Sequence, residues 1–265
     1  MHYTLGFIGC GNMGGALARA AAKRIGGEKI AAYDFDAAKT DLLKAEYGVA
    51  VPDKKLLARL SKFVVLCVKP QNMQETVQTL VQDLADRENV ILVTIAAGVS
   101  IQAIRAFAGK NYPVIRIMPN TPALVGEGVI LYDCDGVSKE DETLFLDCFA
   151  DAGVLDKLPE EKIDCASALS GCGPAFVYMF AEALADGAVE CGLPRDKAAL
   201  YAAQTLLGAG KMLLEYGNPS ALKDAVCSPG GTTIAGVHAL EEAGLRGAAM
   251  NAVNAAYKRT LELKK

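Results

Sequence analysis

Apolar residues in the first half of the chain fall into short runs of strand length. Each run is followed by a segment whose apolar positions recur at helical spacing. Strands are predicted at Tyr3–Ile8, Ile30–Tyr33, Phe63–Val68, Val90–Ile95, Val114–Met118 and Gly128–Tyr132. Helices are predicted at Met13–Ile25, Ala37–Tyr47, Lys54–Leu60, Gln71–Ala85, Ile101–Phe107 and Lys139–Gly153. Near-continuous apolar strands separated by amphipathic helices predict a mainly parallel sheet covered on both faces, the doubly wound α/β class.

From about Ile163 the strand-like runs vanish. Alanine supplies 22 of the 105 residues from Glu161 to Lys265, a composition that favours helix. Helices are predicted at Ala175–Cys191, Pro194–Tyr216, Pro219–Val226, Thr232–Ala243 and Leu245–Leu263, with prolines at their starts and glycines at their ends. The change of texture predicts two domains, 1–160 and 161–265. In Ala175–Cys191 the only charges, Glu182, Asp186 and Glu190, form one narrow stripe. So much remaining apolar face predicts homo-oligomerisation through this half, the alternative being packing against the first domain.

Composition narrows the classes. With 52% hydrophobic and 22% charged residues the chain is of ordinary globular make-up. A net charge of −4 argues against nucleic acid or an anionic membrane as partner. No apolar run approaches the roughly 18 residues of a membrane span, and the first residues carry no targeting pattern, so a cytoplasmic location is expected. The eight cysteines have no CxxC spacing and only two histidines accompany them, so neither zinc nor a disulfide framework is expected. Most are read as small buried hydrophobes in a reducing compartment.

Gly9-Cys10-Gly11-Asn12-Met13-Gly14 is a GxGxxG that follows a predicted strand and opens a predicted helix. In that setting the glycines allow a tight turn and let backbone N–H groups approach a pyrophosphate, as in a Rossmann-type domain. Asp34 ends the second strand, where a carboxylate meets an adenosine ribose and favours NADH over NADPH; the alternative is a cap for the next helix. Val68-Lys69-Pro70 and Ile95-Ala96-Ala97-Gly98 end two further strands, where ligand crevices of open α/β sheets lie. Lys69 either faces a phosphate or the nicotinamide, or is merely solvated.

The most distinctive segment joins two predicted helices in the second half: Cys227-Ser228-Pro229-Gly230-Gly231-Thr232-Thr233. Its hydroxyls and glycine N–H groups suit a small carboxylate, the alternative being a helix start capped by Thr232 or Thr233.

That segment resembles the pyrroline-5-carboxylate reductases. The resemblance runs the length of the chain, through Phe7–Gly14, Val68-Lys69-Pro70, Ala96–Val99, Arg116–Pro122, Leu169–Ala175 and the loop above. It implies a Rossmann domain followed by an all-helical dimerisation domain, with active sites shared between subunits, and an NADPH- or NADH-dependent reduction of a cyclic imine to L-proline. Carried over by residue, it implies cofactor contacts at Gly9–Gly14, Val68, Lys69, Pro70, Ile95, Ala96 and Ala97, with Met118, Pro119 and Asn120 beside the nicotinamide. Ser228, Gly230, Gly231, Thr232 and Thr233 face the substrate, and Glu160 matches an acid near it, although it also begins the charged run Glu160-Glu161-Lys162. Thr233 is expected to hydrogen-bond the ring nitrogen. A protonated C=N is already electrophilic, which suits a chain with no recognisable nucleophile–base pair.

Three positions depart from relatives: Asp34, where NADPH-selecting members more often carry neutral or basic groups, Lys54, which is Asn in some, and Ala225, which is polar in some. Two other readings compete. One is a β-hydroxyacid dehydrogenase, although Lys197, Lys211 and Lys223 lack the setting of its lysine base. The other is a nucleotide-sensing protein without catalysis, which the intact Ser228–Thr233 loop argues against.

Overall fold

A computed structural model describes residues 2–263. Seven strands form one sheet: β1 (Tyr3–Ile8), β2 (Ile30–Tyr33), β3 (Ser61–Leu66), β4 (Ile91–Thr94), β5 (Val114–Met118), β6 (Gly128–Asp135) and β7 (Gly153–Lys157), in the order β2-β1-β3-β4-β5-β6-β7. Every pair is parallel except β5–β6, which is antiparallel. Helices α1 (Asn12–Ile25), α2 (Ala37–Tyr47), α3 (Lys54–Leu60), α4 (Met73–Gln78), α5 (Val81–Leu84), α6 (Ile101–Ala108), α7 (Lys139–Cys148) and α8 (Glu160–Ser170) complete this unit. Alternate strand residues feed two cores. Leu5, Phe7, Phe63, Val65, Ile115 and Ile117 belong to one, and Ile8, Val64, Leu66, Leu92 and Val114 to the other. A sheet buried on both faces is why these strands read as unbroken apolar runs.

Three segments differ from the sequence expectation, the first being α8, where no helix was predicted. Gln71–Ala85 is not one helix: a 3-10 turn, Pro70–Asn72, leads into α4, and the helix breaks before α5. At the break the Thr79 hydroxyl donates back to the Thr76 carbonyl at 2.8 Å, a local bond that competes with the helical ladder. Nor does a helix run from Lys139 to Gly153. It ends at Cys148, and Gly153, at φ +134°, turns the chain into β7, a seventh strand not expected from the pattern. A Cβ at Gly153 would lie 2.0 Å from the Gly128 carbonyl oxygen, so the close pairing of β7 with β6 requires glycine there.

A second unit, Gly173–Ala255, consists of α9 (Gly173–Glu190), α10 (Arg195–Tyr216), α11 (Pro219–Val226), α12 (Thr232–Glu242) and most of α13 (Leu245–Leu263). The boundary at Cys172 lies beyond the change of texture near residue 160, because α8 packs on β5 and β6. Among the described residues, the buried apolar cluster of this second unit is Ala185, Ala198 and Ala202 alone.

The stretch Glu160–Glu190, in which a turn at Gly171-Cys172 separates α8 from α9, is long and apolar enough to cross a membrane by length and composition only. All eight cysteines are free thiols. Cys10 and Cys148 are buried as expected, whereas Cys165, Cys172 and Cys191 are exposed.

Candidate active site

The pairing register aligns Ile8, Leu66, Thr94 and Arg116 across four adjacent strands, so the loops that follow them share one edge of the sheet. The chain leaves β1 towards β2 on one side, and β3 lies on the other. Such a switch point is where open α/β sheets bind ligands.

The glycine-rich loop sits at that point. Gly9, at φ +97°, donates its N–H to the Tyr33 carbonyl at 2.8 Å, and a Cβ there would lie 2.6 Å from the Cys67 carbonyl oxygen. A Cβ on Gly14 would lie 2.1 Å from the Gly9 carbonyl oxygen, so α1 presses on the turn. At Gly11, by contrast, a Cβ would meet nothing within 4 Å. Gly11 is also the N-cap of α1, and no side chain caps that end. The loop is thus closed behind and open in front, with uncapped N–H groups at the positive end of a helix: a cradle that fits a pyrophosphate.

A cleft of about 410 Å3 lies against the loop, lined by residues that include Gly9, Gly11, Asp34, Val68, Lys69 and Lys54. Asp34 is not the cap of α2. Asp36 takes that role, accepting the Ala38 N–H at 3.2 Å. The Asp34 carboxylate instead accepts N–H groups from Cys10 at 2.6 Å and Asp36 at 2.9 Å, with the Lys39 ammonium at 3.4 Å. Burial alone would raise its pKa, but those two N–H groups and Lys39 outweigh it and hold the carboxyl below its usual range. The Cys10 N–H is therefore committed inside the protein. Its thiol, pushed up to about 12 by burial and by the neighbouring Asp34 charge, is not a nucleophile at neutral pH. Lys54 bonds the Thr79 hydroxyl at 2.9 Å, and Lys69 stands exposed where β3 gives way to the 3-10 turn.

Further along the edge, Ile95-Ala96-Ala97 follows β4 and Met118-Pro119-Asn120 closes β5. Asn120 is buried. Its Oδ1 accepts the Val129 N–H at 2.9 Å and its Nδ2 donates to the Ser170 carbonyl at 2.8 Å, tying the end of β5 to β6 and to the end of α8.

Glu160 is not a surface acid. It opens α8 half-buried, with one carboxylate oxygen accepting the Ile101 N–H at 2.8 Å and the Arg116 guanidinium at 3.3 Å. Arg116 is fully buried on β5 and also bonds Asp164 at 2.6 Å, while Asp133 caps the Glu160 N–H at 2.8 Å. Arg116, Asp133 and Asp164 were not candidates from sequence. A lone Arg inside an apolar strand run is the signal from which a buried counter-charge could have been inferred.

In the second unit, Ser228-Pro229-Gly230-Gly231 is a tight turn. The Gly231 N–H donates to the Ser228 carbonyl at 3.0 Å, with proline second and Gly230 third at φ +69°, the pattern of a type II turn. Gly231 is the N-cap of α12, so Thr232 and Thr233 lie inside its first turn and do not cap it; both are exposed on the single chain.

A mostly parallel sheet with this loop at its switch point defines a Rossmann-type dinucleotide-dependent oxidoreductase. A family model described as "NADP oxidoreductase coenzyme F420-dependent" matches residues 4–98, and one described as "Pyrroline-5-carboxylate reductase dimerisation" matches residues 160–263. The chain is 43% identical to the pyrroline-5-carboxylate reductase of Glycine max, over 98% of this chain and 96% of that one. The solved structure of Plasmodium falciparum pyrroline carboxylate reductase with NADP bound superposes with a TM-score of 0.88 at 32% identity, covering 99% of this chain and 98% of that one. The Coxiella burnetii pyrroline-5-carboxylate reductase does so at 0.89 and 31%, covering 100% of both chains. The chain belongs to the pyrroline-5-carboxylate reductase family. NAD(P)H is its cofactor class, the second half is a dimerisation module, and the β-hydroxyacid dehydrogenase and non-catalytic readings fall away.

Proposed function

We propose that this chain reduces 1-pyrroline-5-carboxylate to L-proline with NAD(P)H, as a cytoplasmic homo-oligomer whose active sites draw on two copies. The observation that carries the reading is the cradle at Gly9–Gly14, with Gly9 and Gly14 pressed against backbone and Gly11 open. The eight free cysteines agree with a reducing compartment.

The bound nicotinamide supplies the hydride. The chain itself supplies position. The N–H groups from Gly11 through Met13 would hold the pyrophosphate, Asp34 would lie at the ribose, and Val68 and Lys69, followed in the chain by Pro70, form a wall of the cleft. The small side chains of Ala96 and Ala97 let a flat ring approach the backbone, with Met118, Pro119 and Asn120 beneath it. Glu160 works through its neighbours. By holding the first N–H of α6 and Arg116 together, it fixes the loop after β4 and the strand leading to Met118.

The Ser228–Thr232 backbone of the partner copy takes the substrate carboxylate, and Thr233 hydrogen-bonds the ring nitrogen. Holding an electrophilic C=N about 3–3.5 Å from a hydride donor in a dry site is most of what this reaction needs. The test is NADH and NADPH consumption by purified protein given 1-pyrroline-5-carboxylate. Proline formed in step with cofactor oxidised is the expected result. Oxidation without proline, or no imine-dependent oxidation with either cofactor, overturns the reading.

A further inference from the structure

The end of β2 does more than reach the cleft. Tyr33 and Asp34, adjacent in sequence, hold two adjacent residues of the glycine-rich loop: the Tyr33 carbonyl accepts the Gly9 N–H at 2.8 Å, and Asp34 Oδ2 accepts the Cys10 N–H at 2.6 Å. The other oxygen, Oδ1, accepts the N–H of Asp36, the N-cap of α2, at 2.9 Å and faces Lys39, which α2 carries, at 3.4 Å. One carboxylate therefore joins the loop to the start of the next helix. Its side chain is only 12% exposed, and turning it away from the cleft would break all of these contacts.

Two consequences follow. The first concerns shape. A carboxylate bond to a backbone N–H is among the stronger hydrogen bonds, and this one fixes the residue before Gly11. The second concerns charge. A carboxylate that is locked in place and lines the cleft stays beside whatever the ribose carries, with Lys39 as its immediate counter-charge.

Resting on the reading of this loop as the dinucleotide site, we propose that Asp34 is a positioning residue that clamps the glycine-rich loop to α2. Its acceptor oxygens set the loop's shape for NADH and NADPH alike, while its fixed charge disfavours a phosphate on the ribose. Acceptor and charge then have separable effects. Asp34→Ser shortens the side chain out of reach of the Cys10 N–H and removes the charge. Asp34→Asn keeps one acceptor oxygen for that N–H, but it removes the charge and puts an amide donor where Oδ1 accepted the Asp36 N–H. Lys39→Met leaves the clamp and strips the counter-charge.

The experiment is calorimetric titration of NADH and of NADPH into the purified full chain and the three variants. Thermal unfolding without cofactor and hydrogen exchange at the Cys10 amide are measured alongside. Asp34→Ser is expected to lose about tenfold or more in affinity for both cofactors, the scale of one charge-assisted hydrogen bond, and to exchange the Cys10 amide faster. Asp34→Asn should keep NADH affinity within about threefold and raise the NADPH-to-NADH affinity ratio about tenfold. Lys39→Met should weaken NADPH more than NADH.

An Asp34→Ser protein that binds NADH as tightly as the parent overturns the clamp. So does an Asn variant that loses both cofactors as Ser does while its Cys10 amide exchanges as slowly as in the parent, because the hold on the Cys10 N–H would then not be what sets affinity. If Asp34→Ser does not fold, the Asn and Lys39 variants decide. A parent protein that binds neither dinucleotide overturns the site reading itself, and the clamp with it.

Discussion

At the scale of single residues, the glycines of one loop have opposite jobs. At Gly11 the backbone is extended (φ −65°, ψ −166°) and a Cβ would meet nothing, so Gly11→Ala is expected to fold as the parent does. Its methyl group would stand where a pyrophosphate approaches, and dinucleotide affinity should fall about tenfold or more, read by titration against an unchanged melting temperature. Gly14→Ala should do the reverse. Its methyl group would collide with the Gly9 carbonyl oxygen, and overpacking of this kind costs about 1–3 kcal/mol of stability, visible in denaturant unfolding without any ligand. In the second unit, Thr233→Ala removes a hydroxyl that no cap needs. It should lower kcat about tenfold or more with 1-pyrroline-5-carboxylate while leaving cofactor KM almost unmoved, since the loss is made in the reacting complex. Unchanged turnover would remove Thr233 from the reacting site. The GxGxxG was legible because its geometry is local. That Asp34 spends its oxygens on Cys10 and Asp36 was not, since spacing along a chain does not tell which lone pairs are already taken.

At the scale of elements, the segments whose ends are written locally emerged as expected. Helices α2 and α3 carry Asp36 and Asp53 as side-chain caps, α2 stops at Gly48 in the left-handed conformation, and α11 starts on Asn218-Pro219. Strand β7 left no comparable mark: it is a short edge strand, mostly exposed, that ends on Asp156-Lys157 and owes its existence to β6 beside it. Helix α8 was missed for a related reason. Its register is fixed by tertiary contacts, through Glu160 and Asp164 on the buried Arg116. Burying two charges beside a half-buried third is costly, and such a group can be kept because it fixes one alignment among several. Arg116→Met should therefore destabilise the protein by about 3–5 kcal/mol in chemical denaturation, because it removes the cation that faces the buried Asp164 and the half-buried Glu160. Arg116→Lys should fall between, keeping the charge but losing the planar fork that spans both partners.

At the scale of the whole molecule, the two units differ in what each can hold by itself. The sheet unit buries two large cores, whereas the buried apolar cluster described for Gly173–Ala255 is three alanines. Meanwhile Tyr178, Met179, Leu200 and Leu214 stand more than half exposed. Three alanines bury too little apolar surface to offset the ordering of five helices, so this surface must be covered by something else. The run Glu160–Glu190 would suit a membrane by composition, but it carries Glu182 and Asp186 within its apolar stretch, and the family module it belongs to is a dimerisation module. A second copy of the chain is the cover that satisfies both facts. Met179→Glu places a charge on that face, which an apolar interface accepts only at the cost of desolvating it. Sedimentation should show the variant shifted towards monomer, and imine-dependent reductase activity should be lost. Titration should still find NADH binding, since the glycine-rich loop belongs to the other unit. Retained oligomer and retained turnover in this variant would mean that α9 faces something other than a partner copy.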